Sequence, residues 1–117
     1  MEPSVDAGGV DLAPGEVRRR HAAGEIQLVD VRESYERAAG HIEGSAHIEL
    51  GRLASETARI DPGRPVVFYC RVGARSGMAA SAFRRAGFPA HSMAGGLLAW
   101  DAQGLPIAPE GGVVADH

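Results

Sequence analysis

The residues that decide the fold read Val66-Val67-Phe68-Tyr69-Cys70-Arg71-Val72-Gly73-Ala74-Arg75-Ser76, and an alanine-rich stretch follows them to about residue 85. The β-branched and aromatic run at residues 66–69 predicts a buried strand, and the alanine-rich stretch predicts a helix that begins at Ser76. Gly73 permits backbone angles that other residues resist, so a tight turn is expected between the strand and the helix. This order is typical of an α/β domain, and it places the thiol of Cys70 at the junction.

Cys70 is the single cysteine among the 117 residues. A lone cysteine at the end of a strand is usually a small buried hydrophobic residue. Here two arginines follow it, Arg71 and Arg75, and because guanidinium groups are costly to bury, the loop is expected to face solvent and to hold an anion. The loop N–H groups, the positive end of the helix dipole and both guanidinium groups favour the thiolate over the thiol. We therefore interpret Cys70 as a reactive nucleophile.

The length of the loop separates two chemistries. Tyrosine-type phosphatases have five residues between the cysteine and the arginine, because their loop must wrap a phosphoryl group and clamp its oxygens. Only four residues separate Cys70 from Arg75. The shorter loop suits a smaller group, such as the outer sulfur of a persulfide. In these features the segment resembles the active-site loop of the rhodanese family of sulfurtransferases, whose phosphatase and arsenate-reductase relatives have the longer loop.

The resemblance covers most of the chain, from about residue 9 to residue 107. Four further segments resemble rhodanese signatures and occur in the family's order: residues 28–33 (LVDVRE), 40–45 (GHIEGS), 86–88 (AGF) and 95–100 (GGLLAW). Each segment alone is weak support, but together with the cysteine loop they support one another. The resemblance implies an α/β, rhodanese-like fold with a five-stranded, mainly parallel sheet and helices on both faces.

The resemblance also implies a mechanism. Cys70 would be the catalytic residue, and it would take a sulfane sulfur from a small anionic donor such as thiosulfate and carry it as a persulfide. Cyanide, a small thiol or a protein thiol would accept the sulfur, and neither a cofactor nor a metal would be needed. Substrate binding is assigned to the rest of the loop: Arg71, Val72, Gly73, Ala74, Arg75 and Ser76. Two alternatives remain open, namely a sulfur-relay or partner-binding module with little activity on free thiosulfate, and a phosphatase or arsenate reductase of the same fold.

Apolar runs and helical spacing give a coarse map of the elements. Strands are predicted at residues 10–12, 27–31, 46–48, 66–69 and 91–93, and helices at 14–22, 34–39, 51–58 and 76–85. We predict one domain over residues 9–107, with loosely ordered termini at 1–8 and 108–117. Ligands of open α/β sheets bind beyond the carboxyl ends of the strands, where Cys70, Asp30 and Arg32 all fall. For Asp30 and Arg32 we predict support of the loop that follows their own strand rather than substrate contact.

Composition excludes several other functions. All 12 basic residues are arginine, so lysine Schiff-base chemistry and a phosphate-loop lysine are excluded. A net charge of −3 and 5% aromatic residues argue against a nucleic-acid partner. The five histidines lack the spacing of a zinc site, and His41 is expected to have a structural role. There is neither a signal-peptide pattern nor an apolar run long enough to cross a bilayer, so no membrane partner is expected. A free thiol then favours the cytoplasm.

Overall fold

Residues 66–69 form the central strand of the sheet in the computed structural model, which describes residues 10–117. Five strands pair in the order β1-β5-β4-β2-β3, and every pairing is parallel. Their bounds are β1 (Asp11–Leu12), β2 (Gln27–Asp30), β3 (Ala46–His47), β4 (Val66–Tyr69) and β5 (Ala90–Met93). The predicted α/β class is confirmed, and the sheet is parallel throughout rather than mainly parallel.

In the described part of the chain, four α-helices connect or follow the strands. They are α1 (Pro14–Ala22), α2 (Ser34–Ala39), α3 (Ala74–Arg85) and α4 (Gly96–Ala102). The first two have the predicted bounds, and Pro14 lies at the start of α1, where a missing N–H costs nothing. The last helix was not predicted. Within residues 10–117, no helix is both long and apolar enough to cross a membrane.

The central strand is buried on both faces. Val66 and Phe68 pack with Phe83 of α3 in one apolar cluster, while Val67 and Tyr69 belong to a second cluster on the opposite face. The second cluster includes Val17 of α1, and Leu97 and Trp100 of α4. Because successive side chains of a strand point to opposite faces, a continuous apolar run is what a sheet covered on both sides requires.

Two predicted helices differ in the structure. The helix predicted at residues 51–58 is wrong: the segment forms two 3₁₀ helices, Leu50–Ser55 and Thr57–Arg59. Of their residues only Leu53 is buried, so no apolar stripe is present to stabilise a longer α-helix. Helix α3 begins at Ala74 rather than at Ser76, because Gly73 makes the turn and its carbonyl accepts the N–H of Gly77 at 2.9 Å.

The C-terminal segment contacts the domain. Backbone hydrogen bonds join Ala108 to His41 in both directions, and the Val113 N–H donates to the Ala39 carbonyl at 2.8 Å. Residues 1–8, which the sequence predicts to be loosely ordered, lie outside the described residues. The domain limits of 9–107 and the loose order of residues 108–117 stay predictions.

Candidate active site

The thiol of Cys70 lies directly after β4, at the carboxyl edge of the parallel sheet. A four-residue loop, residues 70–73, separates this strand from α3, and Gly73 has a φ of +108°. This left-handed angle is costly for any residue that has a Cβ, so the turn depends on glycine. Cys70 itself is 1% exposed, so the loop holds the sulfur in a recess rather than on the surface.

Three hydrogen-bond donors surround the Cys70 sulfur. The Gly73 N–H donates to Sγ at 3.1 Å and the Ser76 N–H at 3.4 Å, while Ser76 Oγ lies 3.5 Å from Sγ. Behind Ser76, the hydroxyl of Ser92 lies 2.7 Å from the Ser76 hydroxyl. If Ser92 donates, the Ser76 proton can point at the sulfur or at the Gly73 carbonyl, whose oxygen lies 3.3 Å from Ser76 Oγ. The arrangement resembles an oxyanion hole built around a sulfur atom.

These donors change the acidity of the thiol. Burial alone would raise the pKa of Cys70, because a low-dielectric recess disfavours the charged form. The Ser76 hydroxyl and the backbone N–H groups of Ser76, Gly73 and Val72 outweigh burial, and they lower the pKa below its usual value. A thiolate is the nucleophilic form of cysteine, so the recess favours the reactive state.

The backbone of the loop is fixed from the other side by α4. The N–H of Leu97 donates to the Cys70 carbonyl at 2.8 Å, and the N–H of Leu98 donates to the Arg71 carbonyl at 3.0 Å. Contact is close: a Cβ at Gly96, where φ is +63°, would lie 2.6 Å from the Val72 nitrogen. The sequence predicts a tight turn at the glycine pair 95–96. It does not reveal that this turn positions the cysteine loop.

Arg75 is paired with a carboxylate whose role at the site the sequence does not indicate. Its guanidinium donates to both oxygens of Glu36, with distances of 2.8 and 2.9 Å. Glu36 is fully buried, and its side chain also accepts the N–H of Glu33 at the start of α2. Burial would raise the pKa of Glu36, but the hydrogen bonds from Arg75 and Glu33 lower it overall. The Glu-x-x-Glu spacing signals a helix cap, but not which way the second carboxylate points.

Asp30 and Arg32 form a buried pair at the end of β2. Arg32 donates to both oxygens of Asp30, at 2.9 and 2.8 Å, and to the Gly40 carbonyl at 2.7 Å. Arg37 approaches the same carboxylate at 3.3 Å. Both members of the pair are fully buried. These contacts tie β2 to the segment after α2, and the supporting role of the two residues stays a prediction.

The remaining loop residues differ in exposure. Val72 is 50% exposed, and Ala74 is also exposed at the start of α3. Arg71 is partly exposed, and its Nη2 atom lies 3.3 Å from the Asp116 carboxylate. The structure therefore gathers residues 70–76 around one recess. Of the two loop arginines, only Arg71 has a solvent-exposed partner.

One group of potential metal ligands occurs near the loop. Among residues 10–117, Glu33, Glu36 and His117 place ligand atoms within 4.8 Å of one another. Histidine and cysteine spacing does not indicate this group, because two of its three members are glutamates. Arg75 occupies both oxygens of Glu36, and His117 Nε2 lies 3.2 Å from Glu33 Oε2. We interpret the group as part of the ion-pair network that holds Arg75.

Comparison with known proteins identifies the family. The model of the rhodanese-like domain matches residues 13–103, which is most of the chain. The chain belongs to the rhodanese family. This membership agrees with the parallel five-stranded sheet and with a cysteine loop between the central strand and its helix. Like the rhodanese-like domain it matches, the chain is a small α/β unit.

Individual relatives of this rhodanese-like chain have different names. It is 38% identical over 90 residues to thiosulfate sulfurtransferase GlpE of Pseudomonas aeruginosa, covering 76% of this chain and 81% of that protein. It is 42% identical over 99 residues to the HTH-type transcriptional regulator Rv0324 of Mycobacterium tuberculosis. That match covers 82% of this chain but only 43% of the regulator.

A solved structure shares the rhodanese-like architecture. It is a Rhodopseudomonas palustris protein of unknown function, described as a possible tyrosine phosphatase. The TM-score is 0.74 at 28% identity, with 89% of this chain and 88% of that chain covered. The fold of a rhodanese-like domain is therefore shared, but the likeness does not by itself choose between sulfur and phosphate chemistry.

The first testable prediction concerns the Ser76 hydroxyl of this rhodanese-like site. Ser76→Ala removes a donor to the sulfur, so the pKa of Cys70 should rise. We expect alkylation by iodoacetamide to slow about tenfold near pH 6, the cost of one hydrogen bond to a charged group. At a pH where both thiols are ionised, the two rates should converge. The control is Ser81→Ala, an exposed serine of the same helix. Equal rates for Ser76→Ala and the unchanged protein at low pH would contradict this role.

Proposed function

We propose that this protein is a sulfurtransferase that carries sulfane sulfur as a persulfide on Cys70, with thiosulfate as a donor. The observation that supports this most is the set of donors around Sγ: two N–H groups and one hydroxyl converge on the sulfur and lower the pKa of its thiol. Such a recess stabilises negative charge on sulfur, and a persulfide needs that stabilisation. Membership of the rhodanese family and the sulfurtransferase name of a relative point the same way.

In the first step the Cys70 thiolate attacks the outer sulfur of thiosulfate. A sulfur–sulfur bond forms between Cys70 and that atom, and the original sulfur–sulfur bond breaks. Its electron pair leaves with sulfite, so the cysteine becomes a persulfide anion and total charge is conserved. No external oxidant or reductant is needed. The reaction requires the donor to approach end-on, because Cys70 is 1% exposed at the bottom of its recess.

In the second step an acceptor takes the outer sulfur. Cyanide, a small thiolate or a protein thiolate attacks that atom, and the electron pair of the breaking bond returns to Cys70 as thiolate. We propose that the N–H groups of Val72, Gly73 and Ser76 stabilise the terminal sulfur between the two steps. No metal or organic cofactor takes part in this proposal. The free thiol in this scheme favours a reducing compartment such as the cytoplasm.

The two loop arginines are assigned different roles. Arg75 is held by Glu36, with its side chain only 15% exposed, so we propose that it orients the first turn of α3 and the N–H groups within it. Arg71 lies next to the thiol and faces an exposed carboxylate. We propose that Arg71 attracts the anionic donor. Arg75 would then affect donor binding mainly through the shape of the loop.

The test of this proposal is mass spectrometry of the full chain incubated with thiosulfate. We expect the mass of the intact protein to rise by one sulfur atom, and cyanide should remove that atom and release thiocyanate. Peptide mapping should place the atom on Cys70. If the protein takes up no sulfur from thiosulfate or from any other sulfane donor, the proposal that it is a sulfurtransferase is wrong. Uptake only from a protein persulfide would instead support a sulfur-relay module.

Loop length gives a second testable prediction, which addresses phosphatase or arsenate-reductase chemistry. With four residues between Cys70 and Arg75, the N–H groups converge on one sulfur and leave little room for a phosphoryl group. Hydrolysis of p-nitrophenyl phosphate and reduction of arsenate should therefore stay at background, while thiosulfate and cyanide should give measurable thiocyanate. The same preparation serves both assays. Phosphatase activity that exceeds sulfur transfer would reverse the choice of chemistry.

A further inference from the structure

The last residues of the chain lie beside the active-site loop. Arg71 Nη2 is 3.3 Å from Asp116 Oδ1, and the Tyr35 hydroxyl donates to the backbone carbonyl of Asp116 at 3.1 Å. One residue further, His117 Nε2 lies 3.2 Å from Glu33 Oε2. Contacts of its backbone and of the next residue thus hold Asp116 in place, with its carboxylate on an arginine of the loop.

Close backbone packing sets the course of this segment. The Val113 N–H donates to the Ala39 carbonyl at 2.8 Å. A Cβ at Gly40 would lie 3.0 Å from the Val113 nitrogen and would overlap its carbonyl oxygen. A Cβ at Gly112 would in turn lie 3.1 Å from the Ala39 oxygen. The backbone at Val113, three residues before Asp116, therefore lies so close to the end of α2 that a side chain at Gly40 or Gly112 would not fit.

Asp116 contacts the loop arginine that is available to an incoming anion. Arg75 already has a bidentate partner in the buried Glu36, so Arg71 is the loop arginine that remains for an incoming anion. The Asp116 side chain is 97% exposed, and exposed ion pairs are weak. A dianionic donor can therefore displace the Asp116 carboxylate from Arg71, but breaking this ion pair reduces the net free energy of donor binding. The Nε atom of Arg71 is buried and has no hydrogen-bond partner among the described residues, whereas the Nη2 atom of the same guanidinium contacts Asp116.

We infer that Asp116 competes with anionic sulfur donors for Arg71 and is a residue that determines donor specificity. The inference rests on the proposed function, in which Arg71 attracts the donor. While Asp116 contacts the guanidinium, the attraction for a dianion such as thiosulfate is reduced. A donor with a smaller negative charge loses less attraction. The chain thus discriminates against highly charged donors at the entrance to Cys70.

The decisive experiment compares two alkylating reagents of similar size on the full chain. Iodoacetate is an anion and iodoacetamide is neutral. The rate of iodoacetate divided by the rate of iodoacetamide at Cys70 therefore measures the electrostatic potential at the entrance, and it does so without any sulfur transfer. We expect Asp116→Asn to raise this ratio about two- to fivefold, the range of a surface ion pair. High salt should remove the difference. The control is Glu110→Gln, which removes one exposed carboxylate from the same segment.

Three outcomes would overturn the inference. The first is an unchanged ratio for Asp116→Asn, and the second is an equal rise for Glu110→Gln, because net charge alone would then explain the effect. The third is a rise of the same size when Asp116→Asn is combined with Arg71→Gln, since the effect must act through Arg71. In Asp116→Asn, the Michaelis constant for thiosulfate should fall more than the Michaelis constant for a singly charged aromatic thiosulfonate.

The two experiments separate the two claims. If the alkylation ratio responds to Asp116 while no sulfane donor modifies Cys70, the electrostatic role of Asp116 stands and the proposed function fails. If sulfur is transferred while the ratio does not respond, the proposed function stands and the inference fails. The alkylation assay needs only a thiol, so inactivity with a given donor does not obscure its result.

Discussion

Cys70→Ser should reduce sulfur transfer to background while leaving the protein folded. A serine hydroxyl is a far weaker nucleophile than a thiolate, and no second cysteine is present to replace it. Serine has the same shape as cysteine with a smaller terminal atom, and its oxygen can accept the N–H groups that face the sulfur, so the free energy of unfolding should change by no more than about 1 kcal/mol. Thiocyanate formation and the intact mass after thiosulfate treatment measure the activity, and urea unfolding measures the stability.

A matched variant shows whether the loss reflects chemistry or packing. Cys70→Ala keeps an apolar residue in the recess but offers no nucleophile, so it should be as inactive as the serine variant. The intact mass of each variant should also stay unchanged after exposure to thiosulfate, because no sulfur is added. Sulfur transfer by Cys70→Ser at the rate of the unchanged protein would show that the persulfide does not form on this residue.

Gly96→Ala should disrupt the site without changing any residue of the cysteine loop. A Cβ at this position would lie 2.6 Å from the Val72 nitrogen and would overlap the Arg71 carbonyl, and both atoms belong to backbone. Alanine is also strained at a φ of +63°. We expect at least about a tenfold loss of sulfur transfer and a destabilisation of about 2–4 kcal/mol. Thiocyanate assays and urea unfolding measure the two effects.

The control for this variant is Gly77→Ala in α3. Apart from its chain neighbours and the backbone of its own helix, no atom lies within 4 Å of a Cβ at Gly77, and its φ is not positive. Because alanine favours helices, this change should stabilise the protein by up to about 1 kcal/mol and preserve its activity. If Gly96→Ala were as active and stable as Gly77→Ala, the helix α4 would not position the cysteine loop.

Much of the fold could be predicted from local sequence. Val66–Tyr69 is a continuous apolar run of β-type residues, so its burial on both faces follows from composition. Helices α1 and α2 carry an N-terminal proline and a Glu-x-x-Glu cap, respectively, and their bounds were predicted correctly. Residues 50–59 could not be predicted in this way, because the choice between α and 3₁₀ geometry there depends on which side chains the sheet can bury.

The site was predictable only in part. The cysteine loop is contiguous, so its residues and their order suffice to place a thiol at a strand end. The partners of that loop come from distant segments: Glu36 contacts Arg75, Ser92 contacts Ser76, and Asp116 contacts Arg71. Nothing in the sequence near these three residues indicates that their side chains point toward the cysteine loop. Their placement depends on the order of the strands and on the path of the C-terminal segment, which are properties of the folded chain.

The hydrogen bonds from α4 to the cysteine loop have a kinetic consequence. The carbonyls of Cys70 and Arg71 are fixed by the N–H groups of Leu97 and Leu98, so the peptide planes of the loop are oriented before any donor arrives. Charge that develops on sulfur then meets dipoles that do not need to rotate. Little reorganisation energy is required in either direction of transfer. For the proposed sulfur transfer, a rigid recess of this kind would favour rapid uptake of sulfur and equally rapid release.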